Sequence, residues 1–470
     1  MLNISFSICD AAGLGDHERE QLHDLVETFN HYAPGNKRKN KFYEGHVTLG
    51  EVNLGIALPH GMRGLEIGCE WGAKTVDVLA SRSMFDGFVG ASGQEAEAMR
   101  DIMDANRLRA EYAKACRDEL KFGCTFATLS ADPDIACRIQ FHSPMTASAL
   151  WDASAGRIDC GMCVLDTFKD ATNPVTGYKP SKIRFDTDTA VWILTATDET
   201  GQKWVAEAHP HRMGRPLMEP LIWNATHAKP LGRSRLKKPV RELIKGYVRT
   251  VANATIGLEF ATAPQKYLLG VTDDQYDAVI SNSFRQYIGS ILAASTNPET
   301  GSNPVFGQLQ QGSIEPHVQM LRVLATQFSA ATGLSVTDTG VVNDANPTSS
   351  DAIIAQTQSL ILMAEQLNAG NGDSLRIIAM MAQAIARNVT LEDLTEEERD
   401  VIAHFKNPAM PSIASTTDAA LKIATARPGF AETDTFLEMI GFDQADIRRI
   451  KAQEAYARGM EVLSGEGEEL

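Results

Sequence analysis

Long hydrophobic runs are missing from this 470-residue chain. Its greasiest stretch, "IIAMMAQAIA" at 377–386, is about half of what crosses a bilayer. The opening residues "MLNISFSICDAAG" have neither a basic start nor an apolar run, so no secretory leader is expected. Cysteines are few, odd in number and scattered: Cys9, Cys69, Cys116, Cys124, Cys137, Cys160 and Cys163. That pattern argues against a disulfide framework and for a reduced, cytosolic place of synthesis. Cations are in deficit too. The net charge of −16 speaks against a general nucleic-acid or membrane binder, which would be basic. What remains is ordinary for a folded protein, 43% hydrophobic and 22% charged, with length for about three domain-sized units.

The charge is uneven. From Thr390 to Leu470 there are 17 acidic residues against 8 basic ones. Between Arg233 and Arg249 the sign reverses, with Arg233, Arg235, Lys237, Lys238, Arg241, Lys245 and Arg249 facing only Glu242. Such a run is either a solvated helix face or a surface for an anion.

Catalytic signatures fail on inspection. "GCEWGAKT" at 68–75 has the outline of a phosphate loop, but Ala73 stands where the motif needs glycine, and no strand precedes it. "CGMC" at 160–163 lacks the second pair of a zinc site and lies in a strand pattern. His209 and His211 have no convincing third ligand nearby. No GxSxG elbow or HExxH helix occurs, and neither catalytic residues, metal nor cofactor is expected.

Periodicity predicts an amphipathic helix over Asp16–Tyr32, ended by "PGN", and a second over Leu65–Arg82. A third opens on the capping box Ser92 and Glu95 and runs, with a break, to Gly123. From Cys124 to Asn224, short β runs joined by turns predict mainly antiparallel sheet. Helix resumes at Leu236, its stripe formed by Val240, Leu243, Ile244, Tyr247, Val248 and Val251. Residues 261–312 read as a strand, a helix from Asp273, and two further strands round a loop. A helix from Ser313 to Ala331 follows, with Val318, Leu321, Leu324, Ala325 and Phe328 on one side. The last long helix, Asp351–Arg387, is roughly 55 Å long, and glycines 370 and 372 are expected to kink it. It is so poor in charge that protein must cover most of it; the chain's own core could do so, but neighbouring subunits are the expected cover. Between these last two helices lies "TDTGVVNDANPTSS", a small polar loop without one Lys or Arg.

Several phrases, taken in order, resemble the portal proteins of tailed bacteriophages, in the siphophage-type branch. They are "FYEG" (42–45), "WGAKTVDVLASRSMFDGF" (71–88), "ACRDELKFGCTFATL" (115–129), "SPMTASALWDASAGRI" (143–158) and "GRPLMEPL" (214–221). The later half adds "EFATAPQKYLLG" (259–270), "LATQFSAATGLSV" (324–336), "NPTSSDAIIAQ" (346–356), "KNPAMPSIASTTDAALKI" (406–423) and "FLEMIGFDQADIRR" (436–449). Two departures are a tryptophan missing from the strand near His404–Phe405 and Ser335–Thr337 in place of a proline-containing turn.

The resemblance implies an α+β portal fold. A β-rich wing would cover 1–232, a stem helix 233–260, a small α/β clip 261–312 and a second stem helix 313–336. The tunnel loop would be 337–350, the long kinked channel-side helix 351–388, and 389–470 the remaining wing and an acidic helical crown. It further implies a homo-oligomeric ring, commonly a dodecamer, at a capsid vertex of the virion, assembled in the host cytoplasm. Double-stranded DNA would be packaged, retained and ejected through its channel. Terminase motor, major capsid protein, scaffolding protein and head–tail adaptor would be its partners, with no membrane and no enzymatic activity of its own. Asp338, Val341, Val342, Asn343, Asp344 and Asn346 would line the channel. Lys237, Lys238, Arg241, Lys245 and Arg249 would face DNA or a neighbouring subunit. The physics of the loop agrees, because each neutralised phosphate adds binding energy and a conduit must not grip its cargo. The competing readings are a packaging nuclease or ATPase and a scaffold or adaptor without a channel.

Overall fold

The computed structural model describes residues 2–52, 64, 66–90, 96–169, 178–198, 201–262, 266–269, 301, 303, 305–308, 313–341, 350–409, 413–430, 433–442 and 444–464. Its class is α+β, with helices towards both ends and antiparallel sheets between them.

Helix α1 (Asp16–Tyr43) does not stop at Tyr32 but carries Pro34 inside it. A proline there costs about 3 kcal/mol. The turns beyond it offset that cost by burying Phe42 and Asn36. Asn36 donates to the Pro144 carbonyl (3.2 Å), and Lys39 Nζ reaches Asn36 Oδ1 (3.1 Å) and the Phe122 carbonyl (2.9 Å). Helix α2 (Trp71–Ala80) starts later than predicted, because Glu66 is drawn into an antiparallel bridge with Thr48. Strand β1 (Phe85–Val89) follows. The predicted break in the third helix separates α3 (Glu97–Ala105) from α4 (Leu108–Phe122). There Arg107 takes a left-handed φ of 49°, while Asn106 binds Cys137 O (2.7 Å) and the Ile139 amide (2.8 Å). The capping box at 92–95 lies outside the described residues.

The predicted antiparallel region is present. Strands β2 (Cys124–Ser130), β3 (Arg138–His142), β4 (Ala147–Asp152), β5 (Arg157–Lys169), β6 (Tyr178–Asp186), β7 (Ala190–Ala196), β8 (Trp204–Pro210) and β9 (Met218–Ile222) form two sheets. One is the meander β4-β5-β6-β7-β8, the other β3-β2-β9. The two cysteines of "CGMC" fall on opposite faces of β5. Cys160 packs with Leu22 and Leu25 of α1, and Cys163 lies between the sheets with Phe126 and Met218. Arg184 ties the sheets together, forking onto the Asp186 carboxylate (2.6 and 2.8 Å) and reaching the Leu129 carbonyl (2.6 Å).

Helix α5 (Lys238–Thr262), strands β10 (Lys266–Leu269) and β11 (Val305–Gln308), and helix α6 (Glu315–Thr332) form an antiparallel excursion. Arg235 meets Thr332 at its base, Gly246 meets Leu324 midway, and Lys266 pairs with Gln308 near its far end. The stripe on α5 is buried at Val240, Ile244, Val248 and Ala252, with Leu243 and Tyr247 half-buried beside it. On α6, Leu324, Ala325 and Phe328 are buried, whereas Val318 is 37% exposed because the helix has left the core by then. The predicted helix from Asp273 lies outside the described residues.

Helix α7 (Ser350–Arg387) runs without interruption through Gly370 and Gly372. Leu375, Ile378, Ala379 and Ala382 are fully buried in the main core, together with Ala127, Leu221 and Val401. The chain's own core therefore covers this half of α7, and neighbouring subunits are not needed for it. The expectation of such cover applies to the preceding turns, where Leu362 is 56% exposed. Strand β12 (Ile402–Phe405) pairs antiparallel with β1, and helices α8 (Ile413–Ala426), α9 (Asp434–Ile440) and α10 (Gln444–Ser464) complete the chain.

Candidate nucleic-acid interface

Residues Thr337–Thr339 form one 3-10 turn between two left-handed glycines, Gly333 and Gly340, both at φ 72°. The Asp338 carboxylate accepts the Ser335 amide (3.1 Å), which closes the turn. Two side chains of α2 fasten it from below. Trp71 Nε1 donates to the Thr339 carbonyl (3.0 Å) and Lys74 Nζ to the Asp338 carbonyl (2.5 Å). Val341 is half-buried against the core. Asp338 and Val341 thus form the root of the predicted loop. Val342, Asn343, Asp344 and Asn346 lie outside the described residues.

The root stands on an aromatic hub. The Trp71 ring lies 4.6 Å from Tyr247 of α5 and 4.5 Å from Phe328 of α6. At Gly72, an added Cβ would sit 1.9 Å from the Phe42 carbonyl oxygen, so only glycine permits this crossing of α1 and α2. The stretch that imitates a phosphate loop is therefore accounted for by packing. Its glycine serves a helix crossing, and its lysine binds a peptide carbonyl.

The basic run separates into distinct roles. Arg235 is buried, its Nε donating to Thr75 O (2.6 Å) and Nη2 to Thr332 O (2.7 Å), and burial holds its guanidinium down to about 10. The carbonyl at the end of α6 and the negative end of that helix balance its charge. Sequence reasoning grouped Arg235 with its solvent-facing neighbours, since the contacts that bury it come from three distant segments. Arg241 is half-buried, donates to the Leu236 carbonyl, and is held below the usual guanidinium range by burial and then by Arg38. Lys245 pairs with Glu242 at 2.9 Å on the surface, a contact contributing at most about 1 kcal/mol. Arg249 is half-buried, and Lys237 and Lys238 are exposed where α5 begins. Burial raises the thiols of both Cys160 and Cys163 above the ordinary range, and the two lie on opposite faces of β5 in different clusters. No helix among the described residues is long and apolar enough to cross a membrane.

No known protein family matches the chain, and no curated protein does. Among solved structures it is similar to a chain of the virion of a native gene transfer agent particle. That likeness has 11% identity and a TM-score of 0.44 over 79% of this chain and 89% of the other. A chain from the neck of the native particle, computed with C12 symmetry, gives 10% identity and a TM-score of 0.44 over 79% and 89%. One from the neck of the empty particle, computed with C6 symmetry, gives 10% and 0.45 over 77% and 86%. Identities and TM-scores this low do not transfer a role from those chains to this one.

Proposed function

We propose that the chain is the subunit of a portal ring through which double-stranded DNA is packaged, retained and ejected. The observation that carries this reading is the mounting of the loop. A segment free of Lys and Arg follows Val341 in sequence, directly after a turn fixed by Trp71 and Lys74, where Trp71 also meets Tyr247 and Phe328 of the two helices of the long excursion. A rigid root with a non-adhesive span is what a conduit for a polyanion needs, because cations there would hold the phosphates they meet. Exposed apolar side chains farther out on the excursion, Leu258, Met320 and Val323, support neighbouring copies packed around it.

In this reading the excursion is the stem with its clip, and a separate terminase motor docks there and supplies ATP hydrolysis. Capsid, scaffolding and head–tail adaptor proteins contact the rest of the ring. The chain itself performs no chemistry. Electron-microscopy averages of the assembled protein, viewed down the symmetry axis, test the proposal. A ring with a central bore is expected, commonly of twelve subunits, together with no ATPase activity from purified protein. A strictly monomeric protein that hydrolyses nucleotide would overturn it.

A further inference from the structure

Two basic stretches almost two hundred residues apart in sequence share one seat. The last turn of α4 accepts hydrogen bonds from both. Its Phe122 carbonyl takes Lys39 Nζ (2.9 Å), its Lys121 carbonyl takes Ser234 Oγ (2.5 Å), and its Leu120 carbonyl takes the Arg235 amide (2.9 Å). The stretch "NKRKNK" at 36–41 is thereby set beside residues 229–241. Lys39 lies within electrostatic range of Arg241 and Lys229, and Arg241 within range of Arg38. The fold pairs the flanking cations, Lys41 with Glu51 (2.6 Å) and Lys245 with Glu242 (2.9 Å). Six others, Lys37, Arg38, Lys229, Arg233, Lys237 and Lys238, are exposed and form no ion pair among the described residues.

This concentration costs stability in the free protein. The cations repel one another, and the first turn of α5 holds no acidic residue to suit its positive end. An external anion would relieve that repulsion. Residues 36–41 and 229–241 expose no large hydrophobic side chain, the nearest on α1 being Tyr32 (60% exposed) one turn before the first stretch, whereas a protein partner would want one at the centre of its contact. A nucleic-acid backbone needs only cations and donors. We infer that this patch is a sequence-independent seat for a nucleic-acid backbone, built on different elements from the cation-free loop and opposite to it in adhesion.

The test is fluorescence anisotropy of the full chain with a labelled short duplex of random sequence. Six phosphate contacts predict that affinity falls about 10³-fold between roughly 50 and 200 mM salt. The double variants K37E/R38E and K237E/K238E should each weaken low-salt binding at least about tenfold. Arg19→Glu, exposed near the other end of α1, should leave binding unchanged. Thermal melts of the variants verify folding. Absence of duplex binding by the wild type, or binding indifferent to both double variants, would overturn the inference. So would poly-glutamate competing as well as unlabelled duplex, which would assign the patch to an acidic protein. Rings that form without binding duplex would sink this inference and leave the portal reading standing. Protomers that bind duplex but stay strictly monomeric and hydrolyse nucleotide would do the reverse.

Discussion

Asn371 donates its side-chain amide to the Glu119 carboxyl across 2.8 Å, joining α7 to α4 where both residues are fully buried. The same amide reaches Tyr112 Oη (2.9 Å), which contacts Ser83 Oγ (2.7 Å), and Ser83 donates to Asn368 Oδ1 (2.6 Å). Glu119 Oε1 and Asn371 Oδ1 are two buried acceptors without a donor. A proton on the Glu119 carboxyl supplies a donor at this joint. Burial, partly offset by the Asn371 bond, raises the Glu119 pKa to about 8.

The sign of the resulting pH dependence follows from linkage. An unfolded Glu ionises near 4.3, so between about 4.3 and about 8 the folded state holds the extra proton, and stability falls as pH rises. Glu119→Gln keeps a donor and an acceptor but does not titrate. It should be more stable than wild type at pH 8 by roughly 2–4 kcal/mol, with the gap closing towards pH 4. Urea titrations at the two pH values would show this, and a gap independent of pH would refute the protonated acid.

Two helical glycines should behave in opposite ways. Gly72→Ala places a methyl inside the Phe42 carbonyl and should prevent stable folding or lower Tm sharply. Gly370→Ala meets no atom within 4 Å and should stabilise α7 by about 0.5–1 kcal/mol. Circular-dichroism melts compare them, and equal effects would mean that the tight crossing of α1 and α2 is wrong.

Trp71 can be dissected in two steps. Trp71→Phe loses the donor to Thr339 O and should cost about 1–2 kcal/mol. Trp71→Ala also empties the space between Tyr247 and Phe328 and should cost about 3–5 kcal/mol. Denaturant midpoints at matched m-values give both numbers.

Adding cations to the loop should slow its proposed cargo. The sequence marks Asp338 and Asp344 alike, but the Asp338 carboxylate closes the turn on Ser335, so its replacement also loosens the root. Asp344→Lys is the cleaner variant. Packaging assays should show slower or stalled DNA entry with rings intact, and unchanged rates would remove the loop from the mechanism.

The sheets were legible because a strand pattern such as "AVWILTA" or "IDCGMCVL" is carried by a few adjacent residues. The break between α3 and α4 was legible for a similar reason. The length of α1 was not, because Pro34 is outweighed by contacts of Asn36 and Lys39 with residues more than eighty positions away. The cover of the second half of α7 could not be assigned on the same grounds, since poverty in charge does not say whether the covering atoms belong to the same chain. Within the candidate site, the lack of cations in the loop could be read directly. The separation of Arg235 from Lys237 could not, because the two differ only in which distant carbonyls the fold brings near.

The bond from Trp71 to Thr339 spans 268 positions of the chain. A ribosome adding about 5–20 residues per second needs roughly 15–50 s to make the second partner after the first. During that interval the indole has neither Phe328 nor Thr339 to cover it, so the nascent protein carries an unfinished greasy seat. Chaperone occupancy in the cell should therefore concentrate on chains stalled before the second long helix of the excursion, and premature stop codons in that stretch should yield aggregates, not a shortened folded protein.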